Sequence, residues 1–279
     1  MLYNNYNCDF RKGGVEVNKK SSTGLFQKLV YVGAGAAMLS SAAATVFSYD
    51  EAANYFTTNS ILFSVAIVFA LLAFSFAIIA AIITPTEEIA YSSPFGFDFL
   101  FALPAVIGLG SGATLMILEF AKNNSTLLLI TGISLLLSVV HVLLCETESK
   151  SPFLGFFPPV ACALLIAVLY FDTSLEMNAP MKVTAQCALL PLMLYFTTEL
   201  RYLLNREMPR LYLALALGSI AAASLCALAV PVAYLTGALE NTNCFAAALV
   251  AVGTNITVLL KLKRYLQPTH SPENRYEGD

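Results

Sequence analysis

Eight continuous apolar stretches, each close to the length needed to cross a bilayer, run through this chain of 279 residues: 26–47, 59–83, 97–120, 126–145, 153–171, 183–204, 211–235 and 243–262. A hydrocarbon core about 30 Å thick is spanned by roughly 20 helical residues. No water is available there for backbone N–H and C=O groups, so a crossing segment must be a helix or part of a closed barrel. Barrel strands would alternate polar and apolar over about 10 residues. These stretches are apolar without that alternation. The expected fold class is therefore all-α, a polytopic transmembrane helical bundle of about eight spans. The charged content agrees: 12% of the residues are Asp, Glu, Lys or Arg, against about 25% in soluble domains.

An even number of spans puts both ends on one side. With the N-terminus in the cytoplasm, 13 of the 15 Lys and Arg residues fall in inner segments, and only Lys122 and Lys182 lie outside. Basic residues favour the cytoplasmic side of membrane helices. Losing or adding one span would scramble that asymmetry. The reading is thus a polar cytoplasmic segment over 1–24, a transmembrane domain over 25–264 and a polar cytoplasmic tail over 265–279, in the cell (cytoplasmic) membrane. Tyr31, Tyr49, Tyr55, Tyr170, Tyr202, Tyr212 and Tyr265 lie near span ends and read as an interfacial belt, which Tyr must form alone because Trp is absent. The loops are too short for a soluble domain, so chemistry is expected within the bilayer, at the loops or through a partner.

A weak repeat is present. Pro94, Pro152 and Pro209 open the third, fifth and seventh spans, and Thr86-Glu87, Thr147-Glu148 and Thr198-Glu199 close the spans before them. Tandem helical hairpins fit this pattern. Pro also favours helix starts for its own reason, since its missing N–H costs nothing there.

Small residues four apart mark close helix contact. Gly33, Ala37, Ser41 and Thr45 form such a stripe, as do Ala214, Gly218 and Ala222. The third span is denser, with Pro104, Gly108, Gly110, Ser111 and Gly112 in one run. That run is expected to face protein or a cavity: either a tight helix crossing or a broken helix offering backbone groups to a ligand. No strand precedes it, so it is not a dinucleotide-binding fingerprint.

Ionisable groups within membrane spans are candidates for function. Asp98, His141, Glu199 and Arg201 all fall near inner span ends, where they either snorkel to the headgroups or form a polar gating cluster. Gln186 and Asn255 are deeper and require partners. No catalytic set emerges. Glu87-Glu88 lacks the Arg and His pair of an intramembrane protease, with Ser92 standing where the Arg would be. Ser111 and His141 differ too much in depth to form a dyad. No metal site or cofactor is expected, because the chain has two His and no paired Cys motif. The net charge of -3 offers no basic patch for nucleic acid. The six cysteines read as small buried hydrophobes.

The leading functional expectation is a transporter-like or small-molecule-binding membrane component without an energy-coupling domain. Its ligand or gating residues would be Gly108, Gly110, Ser111, Gly112, Asp98, His141, Gln186, Glu199, Arg201 and Asn255. The alternatives are a sensor or assembly subunit acting through a membrane or cytoplasmic protein partner, and an intramembrane lipid-modifying enzyme.

Overall fold

The computed structural model describes residues 19–50, 52–57, 60–84, 99–145, 151–206 and 208–265. Among them are nine α-helices: α1 Lys19–Ser48, α2 Ile61–Ile83, α3 Phe99–Asn123, α4 Thr126–Cys145, α5 Phe157–Phe171, α6 Pro180–Leu203, α7 Pro209–Ala223, α8 Ala229–Leu235 and α9 Thr242–Tyr265. Seven helical segments, the fifth of them a 3-10 turn at Leu154–Phe156 running into α5, are long and apolar enough to cross a membrane. The chain is an all-α polytopic bundle in contact with lipid. Strand occurs as one short antiparallel pair, Tyr49–Asp50 with Tyr55–Phe56, in the connection between α1 and α2. Its turn is closed by Asp50, whose carboxylate accepts from the N–H of Ala52 at 3.0 Å, and by Asn54 in the left-handed region at φ 53°.

Packing inverts the pattern of a soluble protein. On α2 the buried positions are Ala66, Ala70, Ala73, Ala77, Ala80 and Ala81, while Ile61, Leu71, Leu72 and Ile82 point outward. Lipid solvates large side chains as well as a core would, so the inner face is given to small residues that let backbones approach. The two stripes behave this way. A Cβ built on Gly33 of α1 would lie 3.1 Å from Ala73 Cβ of α2. One built on Gly218 of α7 would lie 3.0 Å from the Phe74 ring of α2.

The helix at the centre is α9, which packs against α3, α6, α7 and α8, with α5 touching it more lightly. Around it α1 pairs with α2, α2 with α7, α7 with α6, α6 with α5, α5 with α4 and α4 with α3. From α3 to α7 each helix packs against the next in the chain, as α1 does against α2. Pro starts α5, α6 and α7 alike, so a helix-initial Pro is not peculiar to the repeat positions. The repeat residues Thr86, Glu87, Pro94, Thr147 and Glu148 lie outside the described residues.

The seventh stretch departs from expectation. Residues 211–235 read as one continuous span, but the structure breaks them into α7 and α8 across a turn at 224–228. The cause is local. Pro231 has no N–H to donate into the preceding turn. Within the turn, Ser224 Oγ donates to the Ala221 carbonyl at 2.6 Å, and Cys226 Sγ to the Ala223 carbonyl at 3.4 Å. Elsewhere observed and expected bounds agree within a few residues, and α4 coincides with 126–145. The described part of α1 begins at Lys19, inside the stretch expected to be a polar segment.

Candidate functional site

The Gly-rich third span is an unbroken helix. A Cβ on Gly108 would fall 2.6 Å from the Leu249 carbonyl and 2.9 Å from Gly253 Cα, both backbone atoms of α9. A Cβ on Gly253 would in turn strike the Pro104 carbonyl and sit 2.7 Å from Gly108 Cα. The two helices therefore touch backbone to backbone, a separation only glycine on both sides permits. Pro104 disturbs the helix ladder at this crossing. The adjacent Ala105 N–H is taken up by Thr257 Oγ1 of α9 at 3.0 Å. Gly112 packs one turn on, where its Cβ would meet Val250 Cγ2 at 2.5 Å. Gly110 faces open space, and Ser111 Oγ donates back to the Gly108 carbonyl at 3.1 Å. Of these residues, Gly108 and Gly112 hold two helices together and the hydroxyl of Ser111 is used within its own helix.

One open space of the bundle lies on the other side of α9. A cavity of about 440 Å³ is walled by α1, α7 and α9 and by the turn that separates α7 from α8. Its wall is apolar (Ala34, Met38, Ile220, Ala227, Val252 among others), with Tyr31, Ser224 and Asn255 as the polar side chains. Leu228, Ile256 and Leu259 line it while keeping more than a third of their surface exposed, so the mouth opens on the lipid-facing side. Asn255 is 7% exposed. Its Nδ2 donates to the Ala251 carbonyl at 2.8 Å, and its Oδ1 is buried with no hydrogen-bond partner among the described residues. A lone buried amide oxygen costs about 1–3 kcal/mol. Asn255 is thus the sequence-selected residue that the structure places in a cavity, while Gln186 sits half-buried on α6 outside that wall.

At one end of the bundle lies a buried charge cluster. Glu199 of α6 is 3% exposed, and Lys261 of α9 is 5% exposed. Lys261 Nζ donates to Glu199 Oε1 at 3.1 Å, and Tyr195 OH donates to the same oxygen at 2.6 Å. Tyr195 and Tyr212 share a hydroxyl hydrogen bond of 3.0 Å, and the Tyr202 ring stacks edge-on against Tyr212. His141 of α4 is buried within electrostatic reach of both Glu199 and Lys261. Cys145 Sγ lies 3.3 Å from His141 Nε2. A Cβ on Gly155 would meet Leu200 Cδ1 at 2.9 Å and His141 Cε1 at 3.4 Å, so the turn before α5 closes over the pair.

Of the four ionisable residues expected at this end, the structure brings His141 and Glu199 together. Arg201 is two residues beyond Glu199, about 200° around the helix, and makes no ion pair among the described residues. Asp98 lies outside the described residues. Sequence reasoning missed Lys261, Tyr195 and Tyr212. By sequence alone Lys261 belongs with the cytoplasmic charges and Tyr212 and Tyr202 with the interfacial belt. Lys261, Tyr212 and Tyr202 are all buried: Lys261 donates to the Glu199 carboxylate, Tyr212 is linked to it through the Tyr195 hydroxyl, and Tyr202 packs on the Tyr212 ring. One signal was available: Tyr195 and Glu199 are four apart, on one helix face.

The opposite end is tied by a second polar group. Asp172, just past α5, accepts from Asn243 Nδ2 at 2.6 Å and Asn241 Nδ2 at 2.8 Å. Lys182 is buried at the start of α6 and donates to the Asp172 carbonyl at 2.7 Å and the Leu175 carbonyl at 3.3 Å. Burial alone would raise the Asp172 carboxyl, but hydrogen bonds from Asn243, Asn241 and Ser174 outweigh it and hold the group below the usual carboxylate range. Tyr55 OH donates to Glu176 at 3.2 Å, which joins the short hairpin to the same end. Among the described residues no group of three or more His, Cys, Asp or Glu could hold a metal. The chain matches no protein-family model, no curated protein and no solved structure.

Proposed function

We propose that this chain is a transporter-like, small-molecule-binding protein of the cell membrane that takes an apolar molecule from the bilayer into the cavity between α1, α7, α9 and the turn that separates α7 from α8. The observation that carries this reading is the cavity itself: about 440 Å³ of apolar space beside a broken span, with a mouth toward lipid. Its size falls within the roughly 300–1,000 Å³ of ligand pockets. No ladder of charges accompanies it. The buried charges sit at the two ends of α6 and α9, so movement through the bundle would be passive or driven by a partner. In this reading both termini are cytoplasmic, with the Glu199–Lys261 end inside and the Asp172 end outside.

Photo-crosslinking tests the proposal. The full chain in lipid nanodiscs is exposed to a diazirine-bearing hexadecane, and labelled peptides are mapped. Labelling concentrated on 31–38 and 220–228 supports it. Labelling spread evenly over lipid-facing residues of α2, such as Leu71 and Ile82, defeats it. Single cysteines at 176 and 205, labelled in intact cells and in inverted vesicles, test the orientation: 176 must react from outside and 205 from inside.

A further inference from the structure

We infer that the apolar group taken into this cavity is an acyl chain of an anionic glycerophospholipid, with the lipid's ester against the Tyr31 hydroxyl and its phosphate at Lys28 and Lys263. The inference rests on the cavity reading above and adds the class of molecule that the cavity selects.

Tyr55 OH donates to Glu176, so the connection between α1 and α2 sits at the Asp172 end of the bundle, and the start of α1 lies at the Glu199–Lys261 end. α9 finishes at that same end. The cavity lining runs from Tyr31 to Met38 on α1 and from Leu259 back to Val252 on α9. Each stretch is seven residues long, about 10 Å at 1.5 Å per residue, so the space extends along the helices as an acyl chain does. Lys28 comes three residues before Tyr31 and seven before Gly35, and Lys263 comes four after Leu259 and seven after Ile256. Those spacings put each lysine on the lining face of its helix, about one turn beyond the cavity toward the nearer membrane surface. Side chains lean toward a helix N-terminus, which on α9 carries Lys263 back over the cavity end. Both lysines are exposed, and neither makes a hydrogen bond or ion pair among the described residues. No Asp or Glu stands in the lining or at 24–30 and 260–263. Tyr31 lies between the lysines and the apolar wall. Its ring leans toward the Lys28 end, and its hydroxyl makes no hydrogen bond among the described residues. From the membrane surface inward the order is therefore cation, hydroxyl donor, apolar wall. A glycerophospholipid presents phosphate, ester carbonyl and acyl chain in that same order, and basic sites between membrane helices favour anionic headgroups. A zwitterionic lipid would bring a cation of its own to the two lysines.

The test uses the full chain in phosphatidylcholine nanodiscs with two probes whose acyl chains carry the same diazirine: a phosphatidylglycerol and a phosphatidylcholine. In the natural protein the phosphatidylglycerol probe is expected to label 31–38 and 220–228 at about one-tenth the concentration the phosphatidylcholine probe needs, the worth of two exposed lysines after screening by salt. Lys28→Gln with Lys263→Gln should bring the two probes within about twofold while keeping the cavity label, and Lys28→Arg with Lys263→Arg should keep the preference. Tyr31→Phe should raise the concentration that both probes need by about fivefold, since both carry the ester. Equal labelling of the cavity by both probes in the natural protein would overturn the choice of an anionic lipid and leave the cavity reading standing. A tenfold preference that survives the paired Gln substitutions would overturn the role of the lysines. Cavity labelling by the diazirine-bearing hexadecane but by neither lipid would overturn this inference alone. Labelling of the cavity by none of the three would remove the cavity reading, and this inference with it.

Discussion

Within α3, one added methyl group should have opposite effects two residues apart. At Gly108 the new Cβ lies 2.6 Å from the Leu249 carbonyl oxygen and 2.9 Å from Gly253 Cα, where ordinary contact begins near 3.4 Å. The obstacles are backbone atoms of a helix, which no rotamer change can move aside. α3 and α9 would have to separate by roughly 0.8 Å, opening a gap along the whole crossing. Overpacking of this kind costs about 1–3 kcal/mol, and a backbone neighbour places Gly108→Ala toward the upper half, near 2 kcal/mol. At Gly110 a Cβ meets nothing within 4 Å. There the only change is the intrinsic preference of Ala over Gly in a helix, about 0.8–1 kcal/mol in favour of Gly110→Ala. The two variants should differ by about 3 kcal/mol, more than a hundredfold in the folding equilibrium. Unfolding of the purified chain in mixed micelles of rising SDS fraction, followed by circular dichroism, measures the difference. Gly253→Ala should match Gly108→Ala, and the pair together should cost less than the sum, because the first displacement makes room for the second. Equal stability of the Gly108→Ala and Gly110→Ala proteins would refute the backbone crossing.

Lys261→Met removes the cation from the buried Glu199 carboxylate and should cost about 3–5 kcal/mol, while Lys261→Met with Glu199→Met should recover most of it; the same unfolding assay reads both, and a double variant as unstable as the single would argue against the pair. Because Asp172 has a depressed folded value, its contribution is fully present above the unfolded value near 3.9 and is lost as pH falls through the folded one. The stability gap between the natural protein and Asp172→Asn should therefore be constant from pH 7 to 5 and shrink progressively as pH falls below about 4; a gap that does not shrink at all on acidification contradicts the assigned hydrogen bonds. Gly35 lines the cavity with no atom within 4 Å of a built Cβ, so Gly35→Leu should leave stability unchanged or raised and abolish cavity crosslinking; a loss of folding would mean that the space is not open.

The fold was legible because the bilayer restricts backbone and length together: eight apolar stretches could hardly be anything but helices, and α4 matches its stretch at both ends. The breaks were harder to read. Pro104 and Pro231 both lie inside apolar runs, yet α3 continues through the first and the second accompanies a turn. The difference is tertiary. Thr257 of a neighbouring helix accepts the Ala105 N–H beside Pro104, whereas Ser224 and Cys226 cap the carbonyls of the broken turn from within. The candidate site divides in the same way. Asn255 stood out in the sequence because an amide in an apolar run is expensive, but which face of α9 it occupies depends on Gly253 two residues earlier, whose role is visible only against Gly108. Lys261 was hidden because a Lys near a span end ordinarily snorkels outward, and nothing local distinguishes one that turns inward to Glu199.

Two helices carry the polar groups, and their spacing explains why the middle of the bundle can be soft. On α6, Lys182 and Glu199 are 17 residues apart, about 26 Å, and on α9, Asn243 and Lys261 are 18 apart, about 27 Å. Both lengths approach the roughly 30 Å of the hydrocarbon core. Each helix is therefore pinned near both membrane surfaces, by Asp172 at one end and by the Glu199–Lys261 pair at the other. Between the pins, α9 uses one face for the glycine crossing with α3 and turns the other toward the cavity. The rigid side and the open side thus share one helix. A ligand that displaces α1, or the turn between α7 and α8, does not have to disturb the α3–α9 crossing or either polar anchor. That division leaves room for a cavity in a bundle whose core is rich in alanine, beside the segment where the seventh span is broken.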